Sequence, residues 1–177
     1  FTNAETRGLE VGSTEIEFIP KSHDVKDMKI DIGTAGSIGL LLQTLAPLLI
    51  FADNDTTLDI IGGTAGLGAP TMQYMQHVTF PILNKFGIPL PDMEIVREGF
   101  YPKGQGEMKI TFHPVKKLNP VKLLERGEIK SINGMSVVGS LPEDIAKRQA
   151  NSAKKILVEK GYPDAQIEKN IVSTESP

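Results

Sequence analysis

The sequence predicts an α/β chain, an α+β sandwich in which a βαβαββ unit packs its helices on one face of a mixed sheet, followed by part of a smaller α/β unit. Three observations predict it. Period-2 apolar segments alternate with segments of helical spacing over residues 1–126. Glycine-rich turns stand at the strand-to-helix junctions. Residues 116–127, KKLNPVKLLERG, then break the pattern with a cationic, proline-interrupted exit, after which residues 127–177 start a second unit.

Taken in order, STEIEFIP at residues 13–20 alternates polar and apolar residues with Ile16 and Phe18 on one face, as a half-buried strand does. MKIDIG at residues 28–33 reads as a second strand, and the turn GTAGS leads into the apolar residues 37–52. That stretch is shorter than the roughly 20 residues needed to cross a bilayer, and it contains Gln43, Thr44 and Pro47, so it predicts a buried core helix and no membrane association. TTLDIIGG at residues 56–63 is β-branched and bounded by glycines, a buried strand. Residues 71–87 carry Met72, Met75, Val78, Ile82, Leu83 and Phe86 at three-and-four spacing, an amphipathic helix ended by Gly87 and kinked or split at Pro81. Residues 93–100 and 106–115 follow as alternating strands with YPKGQ between them. This order returns each crossover to the same sheet.

In the second unit, residues 128–140 predict a β-hairpin around Asn133 and Gly134, a dipeptide that favours two-residue turns. Residues 142–160 predict a helix with proline in its first turn, acids early, lysines late and Gly161 as its stop. Residues 165–174 close as a strand. A unit of about 50 residues is incomplete as a free-standing domain. The chain begins at Phe1 and ends in STESP, which leads to the expectation of a central part of a longer chain.

Of the 177 residues, 40% are hydrophobic and 23% charged, which excludes disorder, collagen-like repeats and coiled coil. The absence of cysteine removes disulfide scaffolds, thiolate metal sites and thiol nucleophiles, and fits a reducing, cytoplasmic compartment. The net charge of −3 is unevenly spread. Residues 1–96 hold 5 Lys and Arg against 12 Asp and Glu, giving −7; residues 97–130 hold 8 against 4, giving +4; residues 131–177 are balanced at 6 against 6. A uniformly basic nucleic-acid coat is excluded, while the central segment is either a solvated face or a local path for phosphates.

Candidate chemistry is sparse. The turns GTAGS and GGTAGLGAP bring backbone N–H groups toward a helix N-terminus, where they either satisfy packing or meet an anion. Neither is a Walker or dinucleotide loop. Gln43 lies in a helix that is otherwise almost wholly apolar, so its amide caps a neighbouring loop or meets a ligand in a cleft. Tyr74, four residues after Pro70, offers a ring face to a base or joins the core. His23, His77 and His113 form no metal-ligand pair at helical or hairpin spacing, and a structural role is expected of each; no metal site is predicted from them. REGFYPKGQGEM at residues 97–108 is the most distinctive segment, with Arg97 and Lys103 as candidate phosphate or RNA contacts.

At that segment the chain resembles the RNA 3'-terminal phosphate cyclase family, whose signature runs Arg or His, Gly, two residues, Pro, one residue and three glycines. Here Glu98, Gly99, Phe100, Tyr101, Pro102, Lys103, Gly104, Gln105 and Gly106 occupy it, with Glu98 in place of the cation and Gln105 in place of the middle glycine. GLEVGSTEIEFIP, GTAGSIGLLLQTLAPLLIFAD, GGT with the following AP, and PVKKLNPVKLLERG extend the resemblance in the same order. It implies repeated βαβαββ units with an inserted small domain, residues 1–126 being one repeat region and 127–177 the start of the insert. It further implies an ATP-dependent ligase that adenylylates a histidine, passes AMP to an RNA 3'-phosphate and closes a 2',3'-cyclic phosphate, with magnesium as the metal and RNA 3'-phosphate ends as partner. The nucleophilic histidine is expected outside this chain, and the fragment alone is expected to be inactive. Gln43 matches the family's ATP-contacting glutamine, and Pro70 and Tyr74 match the residues that pack near the adenine. Two alternatives share the architecture: a non-catalytic, cyclase-like ribosome-assembly protein, and an enolpyruvyl transferase.

Overall fold

The computed structural model describes residues 1–175. Its first unit follows the expected order. β3 (Met28–Asp31), α1 (Ile38–Leu49) and β4 (Thr56–Gly62) form a parallel crossover, after β1 (Glu5–Arg7) and β2 (Glu17–Ile19), which pair only with each other. Next come α2 (Met72–Tyr74), a π-helical turn (Met75–Thr79), α3 (Phe80–Lys85), β5 (Asp92–Arg97) and β6 (Gly106–Phe112). The four strands lie in the order β3-β4-β6-β5, with β4 parallel to β3 and antiparallel to β6.

Register explains why the helices cover one face. Leu58 stands opposite Ile110 and Met28, and Ile60 opposite Met108 and Ile30, so these side chains share a face. The other face carries Lys29, Asp59 and Lys109 in matching register. The apolar face buries α1 through Ile38, Leu42, Ala46 and Leu49, a stripe at four- and three-residue spacing. Met72, Met75 and Phe80 complete the core, the Phe80 ring meeting Phe112 edge-on at 5.9 Å between centroids.

Pro81 neither ends nor simply kinks the second helical segment. Proline lacks an N–H and crowds the carbonyl four residues back. The chain widens into the π turn just before it, where the Phe80 N–H bonds to the Met75 carbonyl, and continues as α3. Two other expectations are corrected. The strand at residues 13–20 shrinks to Glu17–Ile19 and leaves Ile16 and Phe18 exposed, because its one partner, β1, supplies no covering layer. The helix over residues 37–52 is apolar beyond what it buries: Leu40, Gln43, Pro47 and Phe51 lie outside the buried stripe and face solvent.

Residues 113–132 contain no helix or strand. The second unit is β7 (Asn133–Gly139), α4 (Glu143–Glu159) and β8 (Gln166–Val172), with β7 and β8 parallel. The predicted hairpin at Asn133 and Gly134 is therefore wrong. A two-residue turn of that kind needs left-handed backbone, and neither residue adopts it. Gly134 instead makes room for Ile167 of the neighbouring strand, whose Cδ1 lies 2.8 Å from where a Cβ would stand. The parallel pair needs a long crossover, which α4 supplies. Small residues Ala146, Ala150 and Ala165 bury with Val138, and the Ser136 hydroxyl donates to the Ala146 carbonyl at 3.1 Å. No helix among the described residues is long and apolar enough to cross a membrane.

Candidate functional site

Three glycine-bearing loops meet at one end of the sheet. In residues 33–37, the Asp31 carboxylate accepts from the Gly33 N–H at 2.7 Å, the Thr34 hydroxyl accepts from the Gly36 N–H at 3.1 Å, and Ser37 caps α1 by accepting from the Leu40 N–H at 3.2 Å. The Gly63 N–H donates to the Gly36 carbonyl at 2.8 Å and the Ile38 N–H to the Gly63 carbonyl at 3.0 Å. The third loop, residues 99–106, closes on these. Gly104 has φ +73°, and a Cβ there would lie 2.7 Å from Ala35 Cα and 2.8 Å from the Thr34 carbonyl oxygen. The glycines thus allow backbone to pack on backbone, and the N–H groups of residues 36, 38 and 63 are taken up within the fold. Tight packing accounts for Gly36, Gly62 and Gly63, whereas an added Cβ at Gly33, Gly66 or Gly68 would meet nothing within 4 Å.

Arg97 serves the same closure. Its Nε donates to the Gln105 carbonyl at 2.8 Å and its Nη2 to Glu107 at 2.7 Å, which holds the loop to β6. Lys103 is exposed near the loop tip.

Next to this junction is a buried polar network that residue spacing did not reveal. Glu98 is 7% exposed, its Oε2 accepting from the Thr64 hydroxyl and its Oε1 from the Gln73 amide nitrogen at 2.5 Å. Thr64 in turn accepts from the Gly99 N–H at 3.0 Å. Glu98 looks solvent-facing in the sequence because β5 alternates. The register shift between Ile95 and Arg97 resets the alternation and turns Glu98 inward. A bulge of that kind has no local sequence signal here.

A cleft of about 880 Å³ opens between the first unit and the second. Gln73, Tyr74, His77 and Phe100 line one side, and residues of β7, α4 and β8, Gln149 and Glu168 among them, line the other. No Lys or Arg is among the lining residues, and Glu168 is their one carboxylate.

The predicted site residues divide accordingly. Tyr74 lines the cleft and is 51% exposed. Gln43 and Pro70 lie outside its lining. Gln43 is exposed, so the premise of a buried amide in need of a partner is corrected; Gln43 sits one residue past Leu42 and thus about 100° off the buried stripe. Pro70 is half-buried against α1, where a Cβ on Gly39 would lie 3.0 Å from the proline Cγ. Gly39, one turn before Gln43 on α1, is itself buried.

The histidines part company too. His23 meets the Leu48 carbonyl at 3.0 Å. His113 bridges Asp55 (2.9 Å) and Asp92 (3.2 Å), and the hydrogen bond to Asp55, ahead of that to Asp92, raises its pKa above the ordinary 6.5 against the opposing effect of burial. His77 is exposed and lines the cleft. No group of three or more His, Cys, Asp or Glu among the described residues is placed to hold a metal ion.

A family model described as RNA 3'-terminal phosphate cyclase matches residues 1–172. Curated proteins of the same name are similar to the chain: one from Ignicoccus hospitalis is 40% identical over 167 residues, covering 94% of this chain and 47% of that protein. One from Pyrobaculum aerophilum is 42% identical over 166 residues with the same coverages. One from Sulfurisphaera tokodaii is 44% identical over 162 residues, 90% of this chain and 46% of that protein. The chain spans about half the length of the curated relatives it matches.

Proposed function

The chain belongs to the RNA 3'-terminal phosphate cyclase family, and on that premise we propose that it contributes one wall of the nucleotide site in an ATP-dependent, AMP-transferring RNA cyclase of the cytoplasm. The observation that supports this reading is the close packing of Pro70 on Gly39, one turn before Gln43 on α1, with Tyr74 four residues after Pro70 in the chain. The proline ring and the half-exposed tyrosine would each give apolar surface to an adenine, and the Gln43 amide, open to solvent, would offer a donor and an acceptor to the nucleotide. The cationic residues 97–130 supply phosphate contacts through Lys103 and its neighbours, whereas Arg97 acts by holding the loop. The attacking histidine belongs to a part of the parent outside these residues. Magnesium finds no cluster of three acidic or imidazole groups among the described residues, and no step here depends on it.

The test is AMP attachment by the full-length parent. Gln43→Ala is expected to reduce the enzyme–AMP adduct at limiting ATP at least severalfold, and residues 1–177 alone are expected to form none. An undiminished adduct in the variant, or an acid-labile adduct on His23, His77 or His113, would overturn the assignment. A non-catalytic binding protein is the second reading. It is favoured by Glu98, which occupies the signature's cationic position yet is buried on neutral donors; absence of the histidine from the parent's remaining sequence would decide for it.

A further inference from the structure

We propose that Tyr101, at the tip of the loop over residues 99–106, stacks on a base of the single-stranded RNA substrate while Lys103 meets the adjoining phosphate. The proposal rests on the cyclase reading above and extends it from the nucleotide to the acceptor strand.

Tyr101 is 79% exposed, and no other aromatic ring among the described residues is as open to solvent. The turn that carries it is nonetheless anchored on both sides. The Gly104 N–H donates to the Phe100 carbonyl at 2.7 Å, which leaves Tyr101, Pro102 and Lys103 at the tip. Phe100, on one shoulder, packs on Gly139 of β7, where an added Cβ would lie 2.6 Å from its ring. Gly104, on the other, packs on Ala35 and Thr34. A ring presented to water on an anchored turn has little freedom left to lose when a base settles on it.

Shape and charge select the ligand. A free nucleotide is held in a concavity that covers most of its surface. Tyr101 stands on a loop tip, outside the lining of the cleft, and can give one ring face to a base that other contacts hold. A single strand supplies such a base: its bases splay out and stack on aromatic rings with little regard to sequence, and its backbone follows cations. The local charge agrees. From Arg97 to Glu107 the charged residues are those two, which pair at 2.7 Å, Glu98, which is buried, and Lys103, so the lysine sets the sign of the field at the tip. Tyr101 and Lys103 are two residues apart, at most about 7 Å of chain, which lets one nucleotide reach both.

The experiment follows fluorescence anisotropy and cyclisation of a 3'-phosphorylated oligonucleotide with the full-length parent. Tyr101→Ala is expected to weaken RNA binding about five- to 150-fold, the loss of one base stack. Tyr101→Phe and Tyr101→Trp are expected to keep the wild-type affinity, and Tyr101→Leu, apolar but not aromatic, to behave as the alanine variant. Abasic nucleotides placed singly along the oligonucleotide are expected to reveal one position whose loss weakens binding to wild type and not to Tyr101→Ala. Lys103→Gln is expected to lower the slope of log affinity against log salt by about 0.7. Wild-type affinity in Tyr101→Ala, abasic losses equal in both proteins at every position, or an unchanged salt slope would overturn the proposal. So would weakened AMP attachment without RNA, which would give the ring to the nucleotide, or a lowered melting temperature at unchanged RNA affinity, which would give it to an interface within the parent. If the parent binds RNA and cyclises none, the cyclase reading fails, and the anisotropy series still decides the role of Tyr101.

Discussion

Gly104 and Gly127 have nearly the same backbone, φ +73° and +75°, yet they bear different loads. Both conformations cost a side-chain-bearing residue about 1–2 kcal/mol. Around Gly127 nothing lies within 4 Å of an added Cβ, so Gly127→Ala is expected to lose about that amount and no more. At Gly104 the new methyl would press on the backbone of Ala35 and Thr34, which adds an overpacking cost of about 1–3 kcal/mol, for a total of about 2–5 kcal/mol. Urea unfolding of the two variants checks the difference; equal losses would mean that the loops around residues 35 and 104 do not pack as described. Gln105, at φ +58°, holds the left-handed position where the family signature has glycine, and its carbonyl is gripped by Arg97. The three glycines around it were readable as a requirement for tight backbone, but not which backbone they approach.

Among the elements, the lower edge of the sheet is joined by one side chain. His113, just past β6, reaches Asp55 ahead of β4 with Nδ1 and Asp92 at the start of β5 with Nε2. Both ring nitrogens donate only when the ring is protonated, and the bridge to Asp55, then Asp92, holds its pKa above 6.5. A raised folded pKa adds stability that is complete below the unfolded value near 6.5 and disappears as pH rises through the folded value. The melting temperature is therefore expected to fall between pH 6 and pH 8 by more in wild type than in His113→Gln, at low salt where the partly exposed pair is least screened. Identical slopes would remove the bridge. Element types were legible where periodicity was strong, as in β5 and β6, because burial on one face imposes it. Asn133 and Gly134 misled because turn chemistry is a local preference that a parallel partner strand overrides.

At the scale of the molecule, the two units bury very different cores. The first packs Ile, Leu, Met and Phe from four strands and the helices into one cluster, whereas the second relies on Val138 and three alanines under a two-stranded sheet. Apolar area scales with side-chain size, so local opening is expected to be easier in residues 133–172. Native-state hydrogen exchange should show faster amide exchange in β7 and β8 than in β4 and β6; equal protection would mean that the small unit is as well supported as the large. The cleft lies between these unequal partners.

By itself the sequence determined the order of strands and helices over residues 28–112 and the family, because these depend on residue spacing and on motifs that survive in one dimension. Only the tertiary structure decided that Gln43 faces solvent, that Glu98 turns inward through a bulge, that His77 and Tyr74 share a cleft with the second unit, and that Arg97 grips its own loop. Each of these depends on a contact between segments distant in the chain. Such a contact is set by the register of strands and the closeness of packed backbones, neither of which residue spacing records.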